Sequence, residues 1–171
     1  MSYAISFRPL SRCDFSLLER WLAEPHITAW WRDPDAAELE AKYGARIDGA
    51  EPVHMFIIEY EGRAIGWIQW YLWRDDPMDA ARFGAPDDAA GIDLAIGERD
   101  MIERGVGPAC IREFIEGYVF ADSAVRSVLV EPEAGNGRSI RAFLKAGFFI
   151  IRSMQVPGED FVRNIMILDR V

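Results

Sequence analysis

Cysteine is scarce in this chain. Only Cys13 and Cys110 occur among its 171 residues, far apart and outside any CxxC pair. That excludes a disulfide framework and a cysteine-based zinc site. Histidine is as rare: His26 and His54 are the only two, and a metal site built on them needs carboxylate ligands as well, so no metal is expected. Basic residues are outnumbered, 19 against 28 acidic, for a net charge of −9. A nucleic-acid partner needs a basic surface and is not expected. Long hydrophobic runs are missing too. The segment "AIGWIQWYLW" is too short and too polar to span a bilayer, so no membrane partner is expected. "MSYAISFRPL" has no charged segment leading into an apolar core, which predicts no signal peptide and a cytoplasmic protein. Internal repeats, low-complexity segments and long polar linkers are absent as well.

What is present suits one domain over residues 1–171, long enough to bury a sizeable core. Half of the residues are hydrophobic, which argues against intrinsic disorder. The acidity keeps the chain soluble and also permits a cationic partner, because a negative cleft concentrates cations.

The hydrophobic period changes along the chain. "AISFRPL" alternates as a strand does. Ser11 and Asp14 then offer a helix start, followed by Phe15, Leu18 and Leu22 at helical spacing. "EPHITAWWRDPD" is a loop or short helical turn, and "AAELEAKYGARI" is helical in composition. "VHMFIIEY" and "RAIGWIQWYLW", joined by Glu61-Gly62, predict a hairpin. Residues 74–90 read as a long acidic loop, the kind that is often functional. "GIDLAIG" is a strand and "GPACIREFIEGYVF" a helix with Pro108 in its first turn. "VRSVLVEP" is a strand. "NGRSIRAFLKAGF" is a helix with Asn136 as its cap and Gly147 as its stop. "FIIRSMQV" and "DFVRNIMIL" close the chain as strands. The order predicts an α+β, or mixed α/β, sheet with helices packed on it.

One turn stands out. In "ERGVGPAC" two glycines sit one residue apart between a strand and an amphipathic helix. Glycine lets the backbone curl and expose its N–H groups, and with the helix N-terminus these make a phosphate site. The same glycines also serve a turn that binds nothing. Neither the Rossmann nor the P-loop pattern is met, because Cys110 stands where a third glycine would fall and no Gly-Lys-Ser/Thr follows.

The turn Ile102-Glu103-Arg104-Gly105-Val106-Gly107 resembles the R/Q-x-x-G-x-G/A pyrophosphate loop of the GNAT superfamily of acetyl-CoA-dependent N-acetyltransferases. "N..SIRAFLKAGF" resembles that family's second cofactor segment. More closely, "HITAWW", "GRAIGWIQWY", "GIDLAIG" and "VEPEAGNGRSIRAFLKAGF" resemble bacterial aminoglycoside 6′-N-acetyltransferases. A neighbouring subgroup that acylates lysine-derived siderophore precursors shares the "WW" and "GP" features, but usually carries histidine where this chain has Asp93. The resemblance implies a GNAT fold, a central twisted and mostly antiparallel sheet flanked by helices. It implies acetyl-CoA as cosubstrate and a small cationic amine as partner. The coenzyme would lie on Leu94, Ala95 and Ile96, on Glu103, Arg104, Gly105, Val106 and Gly107, and on Asn136 and Phe143.

An amine attacks a thioester only when unprotonated, so the site must attract a cation and then take its proton. Asp93 opens a hydrophobic strand, where partial burial increases a carboxylate's affinity for a proton. Its residue context also suits a turn cap or an ion pair, and the resemblance selects the role of base. Trp30 and Trp31 offer aromatic faces suited to a sugar or a cation, with at least one of them expected in the core. Glu131 matches the acidic element that contacts substrate amines in the resembling enzymes. Phe143 departs from the pattern: a tyrosine often stands there to protonate the leaving thiolate, and phenylalanine cannot. If acid assistance limits the rate, Phe143→Tyr raises turnover. Ile102 departs as well, and Pro108 removes one amide donor. The expected chemistry is direct acetyl transfer in a ternary complex, to an aminoglycoside 6′-amine. A lysine-like or siderophore amine, or a non-catalytic acetyl-CoA sensor, are the alternatives.

Overall fold

The computed structural model describes residues 4–31 and 38–171. Residues 32–35 of the predicted loop and 36–37 of the predicted helix lie outside these. Among the described residues, seven strands form a mixed sheet in the order β1-β2-β3-β4-β5-β7-β6. The chain divides into two compact units, Met1–Trp70 with Asp93–Arg104, and Tyr71–Ile92 with Gly105–Val171.

The first unit begins with β1 (Ile5–Pro9), which pairs antiparallel with β2 (Val53–Tyr60). Between them lie α1 (Phe15–Leu22), α2 (Pro25–Thr28) and α3 (Leu39–Ile47). The predicted start of the first helix is present as a short 3-10 turn, Arg12–Asp14, leading into α1. There the Ser11 N–H donates to Asp14 Oδ2 (3.0 Å), and Arg8 grips the same carboxylate at 2.7 and 2.9 Å. β3 (Arg63–Leu72) follows the predicted hairpin turn, in which Glu61 and Gly62 both have positive φ, as a tight two-residue connection needs. Helical residues Leu18, Trp21, Ile27, Leu39 and Tyr43 bury against Met55, Ile57 and Trp67 of the strands. Each large side chain buried in this way contributes about 1.5–3 kcal/mol.

The second unit corrects one prediction. Residues 74–90 are not one long loop: they contain a 3-10 turn, Trp73–Asp75, and then α4 (Pro77–Phe83). Asp76 caps α4, accepting from the Asp79 N–H at 3.1 Å, Pro77 stands in its first turn and Gly84 ends it. These start and stop signals were in the sequence, masked there by the acidic and small residues around them. β4 (Ala89–Ile96) starts earlier than predicted and pairs parallel with β5 (Ser127–Val130) through Ala89 and Ala90. β5 pairs antiparallel with β7 (Val162–Asp169), and β7 with β6 (Phe149–Gln155). α5 (Val106–Phe114) continues into a π-helical turn, Ile115–Val119, and packs against α6 (Gly137–Ala146). Asn136 caps α6 as predicted, its Oδ1 accepting from the Ser139 N–H, and Gly147 ends it.

Candidate active site

Asp93, Leu94, Ala95 and Ile96 occupy the second half of β4, each half-buried. The Gly-Ile-Asp segment has a steric reason. A Cβ on Gly91 would fall 2.4 Å from the Tyr71 ring, so only glycine lets that ring lie on the strand. At the end of β4 the backbone is tied down. His26 Nε2 donates to Ile96 O at 2.9 Å, which fixes the tautomer because a carbonyl can only accept.

Asp93 is addressed by a buried amide. Gln69 of β3 is 7% exposed and its Nε2 donates to Asp93 Oδ2 at 2.8 Å. Arg46, in the last turn of α3, donates from Nη1 to Gln69 (3.1 Å) and from Nε to Glu51 (3.0 Å). Lys42 and Tyr43 of the same helix interact electrostatically with Asp93. Burial holds the Lys42 ammonium below its usual 10.5, with Arg46 acting in the same direction and Asp93 opposing. Burial also holds the Tyr43 phenol above its usual 10.0. Trp31 acts on that phenol too, and sets its ring edge-on to Trp67 at 5.4 Å. Trp31 therefore packs against the core, as expected of one of the pair, while Trp30 is 39% exposed. Lys42, Tyr43, Arg46 and Gln69 were not singled out from the sequence. Lys42 and Arg46 carry one signal there, an i, i+4 charged pair beside Tyr43 on α3, and Gln69 carries none.

Beyond β4, Glu98 is held by Arg20, by Trp21 Nε1 (2.8 Å) and by Arg63 (2.7 Å). The Arg20 guanidinium foremost, with Trp21 and Arg63 assisting against burial, keeps its carboxyl below the usual 4.5. The chain then enters the predicted turn. Glu103 and Gly105 both adopt the left-handed conformation (φ 62° and 79°), and Gly105 is the N-cap of α5. With no side chain at the cap, the Val106 and Gly107 amides at the helix start are left for a ligand, whereas Pro108 has none to give. A Cβ on Gly107 would stand 4.0 Å from Ala142 Cβ of α6. The two segments read as coenzyme-binding thus meet in the second unit. Asn136 holds the α6 end of this pair, its side-chain oxygen engaged in the cap. Phe143 is 4% exposed, with its ring edge-on to Phe148 at 5.1 Å.

Glu131, just after β5, does not face solvent alone. Arg163 of β7 lies 3.8 Å from its carboxylate and donates to its backbone oxygen at 3.2 Å. The same guanidinium binds Glu159 through two bonds of 2.7 and 2.6 Å and lies over the Phe83 and Phe161 rings. Cys110 is fully buried on α5, and burial pushes its thiol up to about 12, so it is no nucleophile. Among the described residues, no group of three or more His, Cys, Asp or Glu is placed to hold a metal. No helix among them is long and apolar enough to cross a membrane.

A half-buried carboxylate within β4, a left-handed glycine turn and an open helix start suit an acyltransferase of the coenzyme-A class. The model of the GNAT acetyltransferase domain matches residues 11–156, and the chain belongs to that family. Its relatives include an aminoglycoside N(6′)-acetyltransferase type 1 of Klebsiella pneumoniae, 26% identical over 85% of this chain and 74% of that protein. An N-hydroxyputrescine acetyltransferase of Acinetobacter baumannii is 29% identical, over 70% of this chain and 56% of the other. Among solved structures, the aminoglycoside acetyltransferase AAC(6′)-Ib with coenzyme A superposes with a TM-score of 0.86. It is 26% identical, with 98% of this chain and 95% of that one covered. The same enzyme with coenzyme A and kanamycin gives the same values. These bear out the expected fold and enzyme class.

Proposed function

We propose that this chain, a single domain over 1–171, transfers an acetyl group from acetyl-CoA to a primary amine, with the 6′-amine of an aminoglycoside as the leading substrate. The observation that carries this reading is Asp93, a half-buried carboxylate on β4 held by a neutral amide. Acetyl-CoA supplies the activated acetyl group as a thioester. The Val106 and Gly107 amides, with Glu103, Arg104 and Gly105 of the turn, hold its phosphates. Leu94, Ala95 and Ile96 are assigned to its pantetheine arm, and Asn136 and Phe143 of α6 to the coenzyme as well.

Asp93 first holds the substrate ammonium by charge and then accepts its proton, directly or through one water. The neutral amine attacks the thioester carbonyl, the C–N bond forms, the C–S bond breaks, and the coenzyme leaves as a thiolate that water protonates. Phe143 contributes no proton to this step. Trp30 offers an exposed aromatic face to the substrate, and Trp31 supports the wall beside Tyr43. Glu131 is assigned to a second substrate amine, which must compete there with Arg163.

That competition favours a second reading, in which the amine carries fewer charges, as a lysine-like or putrescine-derived amine does. Release of coenzyme A, measured with kanamycin, lysine and hydroxyputrescine, tests both. Turnover of kanamycin with little or none of the others is the expected result. Turnover of only the smaller amines replaces the aminoglycoside reading with the second one.

A further inference from the structure

We infer that Gln69 is a positioning residue for Asp93, and that Arg46 determines which end of the Gln69 amide meets it. The inference rests on Asp93 being the base. Three elements supply the three groups: Arg46 from α3, Gln69 from β3 and Asp93 from β4. A guanidinium has donors and no acceptor. At 3.1 Å from Arg46 Nη1, the Gln69 amide can therefore present only its oxygen. Its NH2 group must then point the other way, and it meets Asp93 Oδ2 at 2.8 Å.

Burial makes this orientation costly to lose. Gln69 has no water to turn to, so each end of its amide needs a protein partner. Arg46 is itself fixed, by Glu51 and by the face of Tyr43 at 5.6 Å. A donor to the charged form of a carboxylate favours that form. The relay thus favours the charged form of Asp93 and fixes the plane of its carboxylate through a neutral donor. A guanidinium in the place of Gln69 would compete with the substrate ammonium for the same oxygens, and a neutral amide adds no charge of its own. The charged and titratable groups facing Asp93 in this unit are Lys42, Tyr43 and, through the amide, Arg46.

The test is the pH profile of kcat/KM with kanamycin, or with whichever amine releases coenzyme A. Gln69→Leu removes the donor and moves the acid limb to higher pH by about one unit, a tenfold change in the ionised fraction at a given pH below it. KM for acetyl-CoA stays at the wild-type value. Arg46→Met frees the amide to flip and shifts the limb in the same direction by less. Arg46→Lys, again a donor without an acceptor, restores the wild-type limb. Carbon-detected NMR titration of the Asp93 carboxyl reads the same shift without turnover, and Gln69→Met serves where the leucine variant does not fold. Superimposable profiles for Gln69→Leu and wild type overturn the inference. So does an Arg46→Lys limb displaced as far as that of Arg46→Met. If Asp93→Asn keeps wild-type turnover, the assignment of the base fails. If it is inactive while the Gln69 variants leave the limb in place, only this inference fails.

Discussion

Two acids were expected to meet the substrate amine, and their surroundings are opposite. Asp93 receives a hydrogen bond from a neutral amide, and the arginine behind that amide stands one residue away. Glu131 faces an arginine directly, in a network that Glu159 completes. In the first, the hydrogen-bond donor brings no charge of its own, and the Lys42 ammonium acts on Asp93 electrostatically. The second sets Glu131 3.8 Å from a guanidinium whose bidentate, charge-assisted bonds go to Glu159. An acidic side chain at a motif position is therefore not enough to make a cation site.

The largest expected effect comes from removing the charge of Asp93. Asp93→Asn should lower kcat by about a hundredfold or more, as loss of a general base does, with acetyl-CoA affinity by calorimetry unchanged. Glu131→Gln should leave kcat within about twofold and act on KM alone, each 1.4 kcal/mol of lost binding being roughly tenfold. Equal losses of kcat in the two variants would erase the contrast.

Releasing the second acid is the next test. Arg163→Gln should lower the KM for kanamycin severalfold by removing the competing guanidinium, while the KM for lysine moves less. Against this, losing charged hydrogen bonds costs about 1.5–3 kcal/mol of stability, visible as a fall in Tm. An unchanged KM ratio between the two amines would mean that the guanidinium and the substrate do not share Glu131.

A third acid serves as a structural control. Glu98 is consumed by Arg20, Trp21 and Arg63, and its depressed carboxyl makes the folded state bind fewer protons than the unfolded chain. Asp14 is depressed likewise, by Arg8 foremost. Their stabilisation is complete above the usual carboxylate values of 4.5 and 3.8 and is lost as pH falls through the lower folded-state values. Glu98→Gln should flatten the loss of Tm on acidification and leave the acid limb of turnover in place. A shift of that limb would mean that Glu98, and not Asp93 alone, sets it. The smallest effect concerns the thiols. Iodoacetamide should label exposed Cys13 in the first unit, spare buried Cys110 in the second, and leave turnover intact. Loss of turnover on labelling would reopen a covalent route.

Much of the fold was legible because its signals are local. The Ser11–Asp14 start, the Glu61-Gly62 turn, the Asn136 cap and the Gly147 stop each lie within a few residues of what they control. The acidic stretch 74–90 was misread although Asp76, Pro77 and Gly84 are equally local, since its apolar period is too weak to announce a helix. Asp93 and the glycine turn were singled out through motif and position. Gln69 and Arg46 were not, because a buried glutamine in a β-rich run looks like an ordinary strand residue.

The sequence by itself determined most of the order of elements, several caps, the place of the glycine turn and the family. All of these depend on neighbours along the chain or on spacing repeated along one face. Only the tertiary structure decided which charges meet. Gln69 reaches Asp93 across 24 residues, and Arg163 reaches back 32 to Glu131. With 28 acidic and 19 basic side chains the possible pairings are many. Strand pairing and helix packing select a few of them, and through them which groups stand beside each of the two acids.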